Sequence, residues 1–240
     1  MLRKTIRFAD ALVNRVILVL CLLLFLICLY ATVDAANVYM NANNTSVLKY
    51  KPKLNESSVE VLQEIATDAV AWLSIEDTSI DYPLMQGENN YTYLNLDPFG
   101  NFSLSGSIFL DCRNSRDFTD PYSLVYGHHM DHGAMFGALD EFYDQSYFER
   151  HPTGLLQAAS GVNYRITFFA CCKAPANEPL IFDPPISDNA SLLGYLWEHA
   201  AFLSPEQPEP EAKILGLSTC QSAETIERLI LFGVLTEITK

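Results

Sequence analysis

The sequence is poor in basic residues. Its 240 residues carry 15 Lys and Arg against 29 Asp and Glu, a formal net charge of −14. Four of the basic residues, Arg3, Lys4, Arg7 and Arg15, stand at the N-terminus with Asp10, so the remainder holds 11 basic and 28 acidic side chains, a balance near −17. That balance argues against nucleic acid or anionic lipid as a partner of the remainder, since like charges repel across its surface. Cysteine is present but not in metal-binding spacing: no Cys-x-x-Cys pair occurs, which argues against a structural zinc site. Disulfide arithmetic also fails. Cys21 and Cys28 lie in an apolar run, and Cys171 and Cys172 are adjacent, so they point to opposite faces of any strand. Buried free thiols are the favoured reading, with a bridge from Cys112 to Cys171 or Cys172 left open. There is no internal repeat and no low-complexity tract.

What the chain does have is one long uncharged run. Val16 to Val33 contains no charged residue and is dominated by Leu, Ile, Val and Phe. About twenty apolar residues span a bilayer as a helix. The basic flank predicts the N-terminus inside and the rest outside. Val33 to Ala36 also reads as a small-residue cleavage site, but a signal-peptide core is usually shorter, about 7–15 residues. An uncleaved anchor is the favoured reading. The expected organisation is a cytoplasmic basic tail (1–11), a transmembrane anchor (12–33), a polar stalk (34–55) and one catalytic domain (56–240).

Within that domain the patterning is of short strands and turns. Val59, Leu62, Ile65, Ala66 and Ala69 recur at helical spacing after a Ser cap, which predicts a helix over 58–70. Short strands are expected at 72–75 and 80–84, around the turn from Glu76 to Ser79, and at 106–110. An apolar run ends at Gly127 and delivers His128, and a further strand is expected from Asn163 to Cys172. Leu192, Leu193, Leu196, Trp197 and Ala200 predict a capped amphipathic helix over 187–203, which Pro205, Pro208 and Pro210 stop. Two largely apolar runs close the chain, Lys213 to Cys220 and Arg228 to Ile238. The fold class read from this is mostly β, a single β-barrel with appended helices.

Chemistry gathers at the strand ends. Cys220 ends one of the last two strands and Arg228 opens the other, so both are expected at one rim of a sheet. A thiol is a strong nucleophile once ionised, and a permanent cation nearby favours both thiolate and oxyanion. His128 is the candidate base. His128 and His132 would share a face if helical, as in zinc proteases. However, no Glu adjoins the first His, and Gly127 and Gly133 argue for a loop, so no metal is assigned. His129 and His132 are read as loop residues.

Tyr126, Gly127 and His128, the run from Leu217 to Cys220, and Arg228 resemble the His, Cys and Arg motifs of the sortases, cysteine transpeptidases of Gram-positive cell surfaces. Ile80 to Gly87, Tyr93 to Asn95 and Gly106 to Asp111 resemble class B sortases in particular. The likeness runs from about residue 56 to the C-terminus, with the motifs in matching order. It departs from the family at Gly216, where a Thr usually begins the Cys motif, and in a short interval from Cys220 to Arg228.

The resemblance implies an eight-stranded sortase barrel, an N-terminal helical extension and a helix before the Cys-bearing strand. It also implies Cys220 as nucleophile, His128 as proton carrier and Arg228 as electrostatic stabiliser. Asn90, Leu94, Tyr126, Ser218 and Thr219 are the suspected substrate contacts. Implied partners are secreted proteins or pilins with a C-terminal sorting signal. The implied acceptor is an amine, from a peptidoglycan cross-bridge or from a pilin lysine. No cofactor is implied. A cysteine hydrolase and a non-catalytic surface binding module are the readings from other classes.

Overall fold

The computed structural model of the protein describes residues 2–42, 45–53, 58–186, 188–219 and 227–239. They form two compact units, Met1–Asn41 and Ala42–Lys240. The first is a single helix, α1 (Leu2–Ala42), about 60 Å long at 1.5 Å per residue. Its stretch Ile6–Val38 is long and apolar enough to cross a membrane. Leu22, Leu24, Phe25 and Leu26 are all exposed. A helix apolar all round suits lipid rather than one face of a soluble core. Of the stretch expected as a polar stalk, residues 34–42 continue this helix. In the second unit Thr45–Tyr50 form a 3-10 turn whose Val47 is buried.

That turn is followed by α2 (Ser58–Gln63), β1 (Ala69–Ser74), β2 (Asp81–Met85), β3 (Ile108–Leu110) and β4 (Tyr122–Gly127). A 3-10 turn (Phe136–Tyr143) and α3 (Gln145–Arg150) lead to β5 (Thr153–Ala158) and β6 (Asn163–Pro175). Then come α4 (Pro179–Phe182), α5 (Asn189–His199), β7 (Ala200–Leu203), β8 (Lys213–Thr219) and β9 (Glu227–Glu237). The strands pair in the order β5-β1-β2-β3-β4-β8-β9-β6, and β5 also pairs with β6. That last pairing closes an eight-stranded barrel. β7 lies outside the ring on the far half of β6, where Ala170 faces Leu203.

The closing strands read as continuous apolar runs because both their faces are buried. Leu215, Leu217, Leu229 and Leu231 enter one core cluster with Phe136, Leu139 and Phe142. Ile214, Ile230 and Phe232 enter a second cluster with Leu62 of α2, Ile181 of α4 and Leu192, Leu193 and Leu196 of α5. Cys171 and Cys172 divide between the same two clusters, as their adjacency requires, and both are free thiols, as is Cys112. Burial pushes the Cys171 and Cys172 thiols up to about 12, so neither is a nucleophile near neutrality.

Gly216 has a local reason. A Cβ there would stand 2.7 Å from the hydroxyl of Tyr122, a fully buried ring that donates to Ile181 O at 3.1 Å. In this chain the tyrosine fills the space a side chain at 216 would need.

Two helices are shorter than their periodicity predicts. α2 stops at Gln63, and Ala69 opens β1 because that backbone pairs with both β2 and β5. α5, capped by Asp188 through the Ser191 N–H, stops at His199. Residues 200–203 are extended because the free edge of β6 offers them a ladder.

Candidate active site

Three strand ends meet at one cleft. β4 and β8 run parallel, with Gly127 opposite Thr219, so the strand that delivers His128 lies beside the strand that leads to position 220. β9 pairs with β8, and Arg228 stands at its start, opposite Ala174 of β6. Cys220 itself lies outside the described residues. Asn90, Leu94, Tyr126, His128 and Arg228 line a cleft of about 670 Å3, with Asn89, Tyr91, Phe109, Cys112, Arg113, Ala176 and Phe182. Ser218 and Thr219 sit differently. Both are buried in β8, where the Thr219 hydroxyl accepts from Leu229 N–H at 3.1 Å and so extends the ladder to β9.

His128 is held on both sides. Its Nε2 lies 2.7 Å from Leu94 O, and its own carbonyl accepts from Phe136 N–H at 3.0 Å. A carbonyl only accepts, so this bond places the hydrogen on Nε2 and leaves Nδ1 as the basic nitrogen of the neutral ring. Leu94 therefore contributes a backbone atom to the histidine as well as a side chain to the cleft. The segment after His128 is a loop rather than a helix. His129 bridges Met135 and pairs with Asp140 at 2.7 Å, and His132 and Met135 have positive φ of 59° and 52°. His128 and His132 thus share no helix face.

Among the described residues, the neighbours of Arg228 are aromatic. Its guanidinium carbon lies 4.9 Å from the Phe182 ring centre and 5.9 Å from that of Tyr126. Among the described residues its buried Nε has no hydrogen-bond partner and no carboxylate pairs with it.

Behind the cleft wall lies Asp111, a fully buried carboxylate bonded to the lining residues Asn90, Arg113 and Tyr126, which the residue patterns singled out only as the end of a strand motif. It accepts from Arg113 Nε and Nη2, both at 2.8 Å, from Asn90 Nδ2 at 2.9 Å and from the Tyr126 hydroxyl at 3.2 Å. Asn90 Oδ1 also accepts from Cys112 N–H at 2.8 Å, so this side chain fixes the 111–112 turn while it lines the cleft. The sequence signal was available: a strand-end Asp two residues before an Arg. What it could not reveal was the burial. Burial, with the Asp111 charge beside it, raises Tyr126 well above the ordinary phenol range, so it stays a neutral donor.

Burial alone would raise Asp111 too, but hydrogen bonds from Arg113 and Asn90 outweigh it and hold the carboxyl below its usual range. A carboxylate depressed in the folded state contributes stability above its unfolded value, about 3.9, and loses it as pH falls through the folded value. Asp111→Asn is therefore expected to cost about 2–4 kcal/mol near neutrality, much of it from leaving Arg113 unpaired. Thermal unfolding followed from about pH 6 to pH 3 checks this: the parent chain should lose stability in acid more steeply than the variant.

Comparison with known proteins gives the same reading. No family model matches the chain. It is 31% identical over 209 residues to Sortase B of Listeria monocytogenes, covering 85% of this chain and 80% of that protein. The chain belongs to the sortase B family. Sortase B of Staphylococcus aureus is 29% identical over 184 residues, 75% of either chain. Among solved structures, a Streptococcus pyogenes class B sortase involved in pilus biogenesis superposes with a TM-score of 0.68 at 37% identity, covering 74% of this chain and 97% of that one. The S. aureus sortase B–substrate complex gives 0.71 at 26% identity, covering 88% of this chain and all of that one. This sortase is accordingly a cysteine transpeptidase with the eight-stranded barrel of its family and one N-terminal helix long enough to span a membrane.

Proposed function

We propose that Cys220, His128 and Arg228 carry the transpeptidation. The Cys220 thiolate attacks a carbonyl carbon of the sorting signal, and the Arg228 N–H groups stabilise the resulting oxyanion. The C–N bond then breaks, with His128 passing a proton to the departing amine, and a thioester remains. The incoming amine attacks that thioester, His128 accepts its proton, and the Cys220 thiolate leaves. Atoms balance and no redox partner is needed. The single observation that supports this assignment is the cleft, which brings His128 and Arg228 together at the ends of the strands flanking the one that leads to position 220. Asn90, Leu94 and Tyr126 line the cleft and are read as substrate contacts. For Ser218 and Thr219, burial favours a part in holding the strand end.

The substrates are read as surface proteins with a C-terminal sorting signal, and the acceptor as a peptidoglycan cross-bridge amine. A pilin lysine is the second reading, favoured by the 37% identity to the class B sortase involved in pilus biogenesis. The helix at Ile6–Val38, with Arg3 and Arg7 near its start, supports a single-pass protein whose N-terminus lies inside and whose catalytic domain faces the cell exterior.

Mass spectrometry of the full-length chain in detergent, with a panel of sorting-signal peptides and amine acceptors, tests the assignment. A peptide acyl adduct on Cys220 that amines resolve, and that is absent from Cys220→Ala, is the expected result. Resolution by water alone would replace transpeptidation with hydrolysis. Adducts that persist in Cys220→Ala would move the nucleophile elsewhere. Oligoglycine against a lysine-bearing pilin peptide separates the two acceptors.

A further inference from the structure

Arg228 is a long side chain at a strand start, and about 2 kcal/mol of rotamer entropy opposes fixing it. A carboxylate partner would hold it, but would also compete with substrate oxygen for its N–H groups. Here it rests against two rings. An aromatic face attracts a cation through its quadrupole and leaves N–H groups at the guanidinium edge for other acceptors. The rings must then be fixed. Tyr126 is set by β4 and by its bond to Asp111. Phe182 ends α4, a helix of four residues, too short to hold itself.

The buried Ile181 and the Tyr122 bond to its carbonyl hold one side of α4, and Arg113 holds the Phe182 end. Nη2 donates to Phe182 O at 2.8 Å and Nη1 to Asp183 Oδ1 at 2.8 Å, while Nε and Nη2 grip Asp111. Four of the five N–H groups of Arg113 are engaged in this way, so it is a bracket within the protein rather than a cation offered to substrate. We propose that Arg113, anchored on Asp111, is a positioning residue that sets the Phe182 wall and through it the Arg228 guanidinium. The inference rests on Arg228 being the oxyanion-stabilising cation.

Two reagents acting on Cys220 of the full-length chain in detergent separate the effects. Iodoacetamide alkylates the thiolate by displacing iodide and forms no oxyanion. p-Nitrophenyl acetate acylates it through a tetrahedral oxyanion and releases p-nitrophenolate. Both rates are read at Cys220 by peptide mapping, and their ratio reports oxyanion stabilisation apart from thiol ionisation. Arg228→Ala should lower the acylation-to-alkylation ratio by about 100-fold, the usual cost of one oxyanion donor. Arg113→Ala should lower it by about 10-fold with alkylation unchanged, as a misplaced donor retains part of its effect.

Phe182→Ala should match Arg113→Ala, and the double variant should lose little more, because both act through one wall. Arg113→Lys should recover part of the ratio, since an ammonium keeps the charge pair with Asp111 but cannot fork to Phe182 O and Asp183 together. An unchanged ratio in Arg113→Ala, beside a lowered one in Arg228→Ala, overturns the inference alone. Equal falls in both rates would also overturn it, marking Arg113 as merely structural. An unchanged ratio in Arg228→Ala overturns the reading of Arg228 and the inference with it.

Discussion

His128→Gln is expected to lower kcat/KM for peptide transfer by about 1000-fold, the middle of the range for a lost general acid–base group. The bond from Nε2 to Leu94 O, at 2.7 Å, explains why a glutamine should not substitute. Its amide can still donate to that carbonyl, but it offers no nitrogen that takes up and releases a proton near neutrality. The variant should therefore keep the fold, and its thermal midpoint should stay close to that of the parent chain. Steady-state turnover measured beside thermal unfolding decides the matter. A variant that loses stability but retains kcat would show that His128 only props the loop against Phe136.

The second large effect is expected one residue earlier. Gly127 has no side chain because there is no room for one: a Cβ would overlap Ile108 Cδ1 and stand 2.7 Å from Phe136 Cγ. Both neighbours are buried, Ile108 to 1% and Phe136 to 0% exposure, so neither ring nor methyl can swing into solvent. Gly127→Ala must then push the end of β4 away from the 3-10 turn that begins at Phe136. Overpacking of this kind costs about 1–3 kcal/mol. The displacement falls on His128, and a shift of about 1 Å at a reacting group costs about 100-fold in rate. A chemical denaturation midpoint and kcat measured on the same preparation test both parts. Full activity in a stable Gly127→Ala chain would show that the strand end relaxes without moving the imidazole.

Much of the site was legible because strand ends announce themselves in a sequence. An apolar run stopped by Gly127 delivers His128, and the run opening at Leu229 follows directly on Arg228. Burial and hydrogen-bond partnership were not legible. Asn90 has the polarity of a substrate contact, yet it also holds Cys112 N–H and the Asp111 carboxylate. Ser218 and Thr219 precede the cysteine in sequence, but both are buried in β8, and the Thr219 hydroxyl accepts from Leu229 N–H. Asp111 and Arg113 are separated from Phe182 by about seventy residues, and no local pattern links them.

The sequence by itself determined the apolar helix, the order of the main strands and the candidate residues for the chemistry. These follow from periodicity, charge and side-chain type, which are local. The tertiary structure alone decided the closure of the barrel and the company that Arg228 keeps. β5 has a weak strand pattern, with Thr153 its only β-branched residue, and becomes a strand because β1 and β6 both offer it hydrogen bonds. Ala200 leaves a helix for the same reason, to satisfy the edge of β6. Backbone pairing and burial depend on which distant segments meet, and a chain that meets itself over seventy residues records that only in its fold.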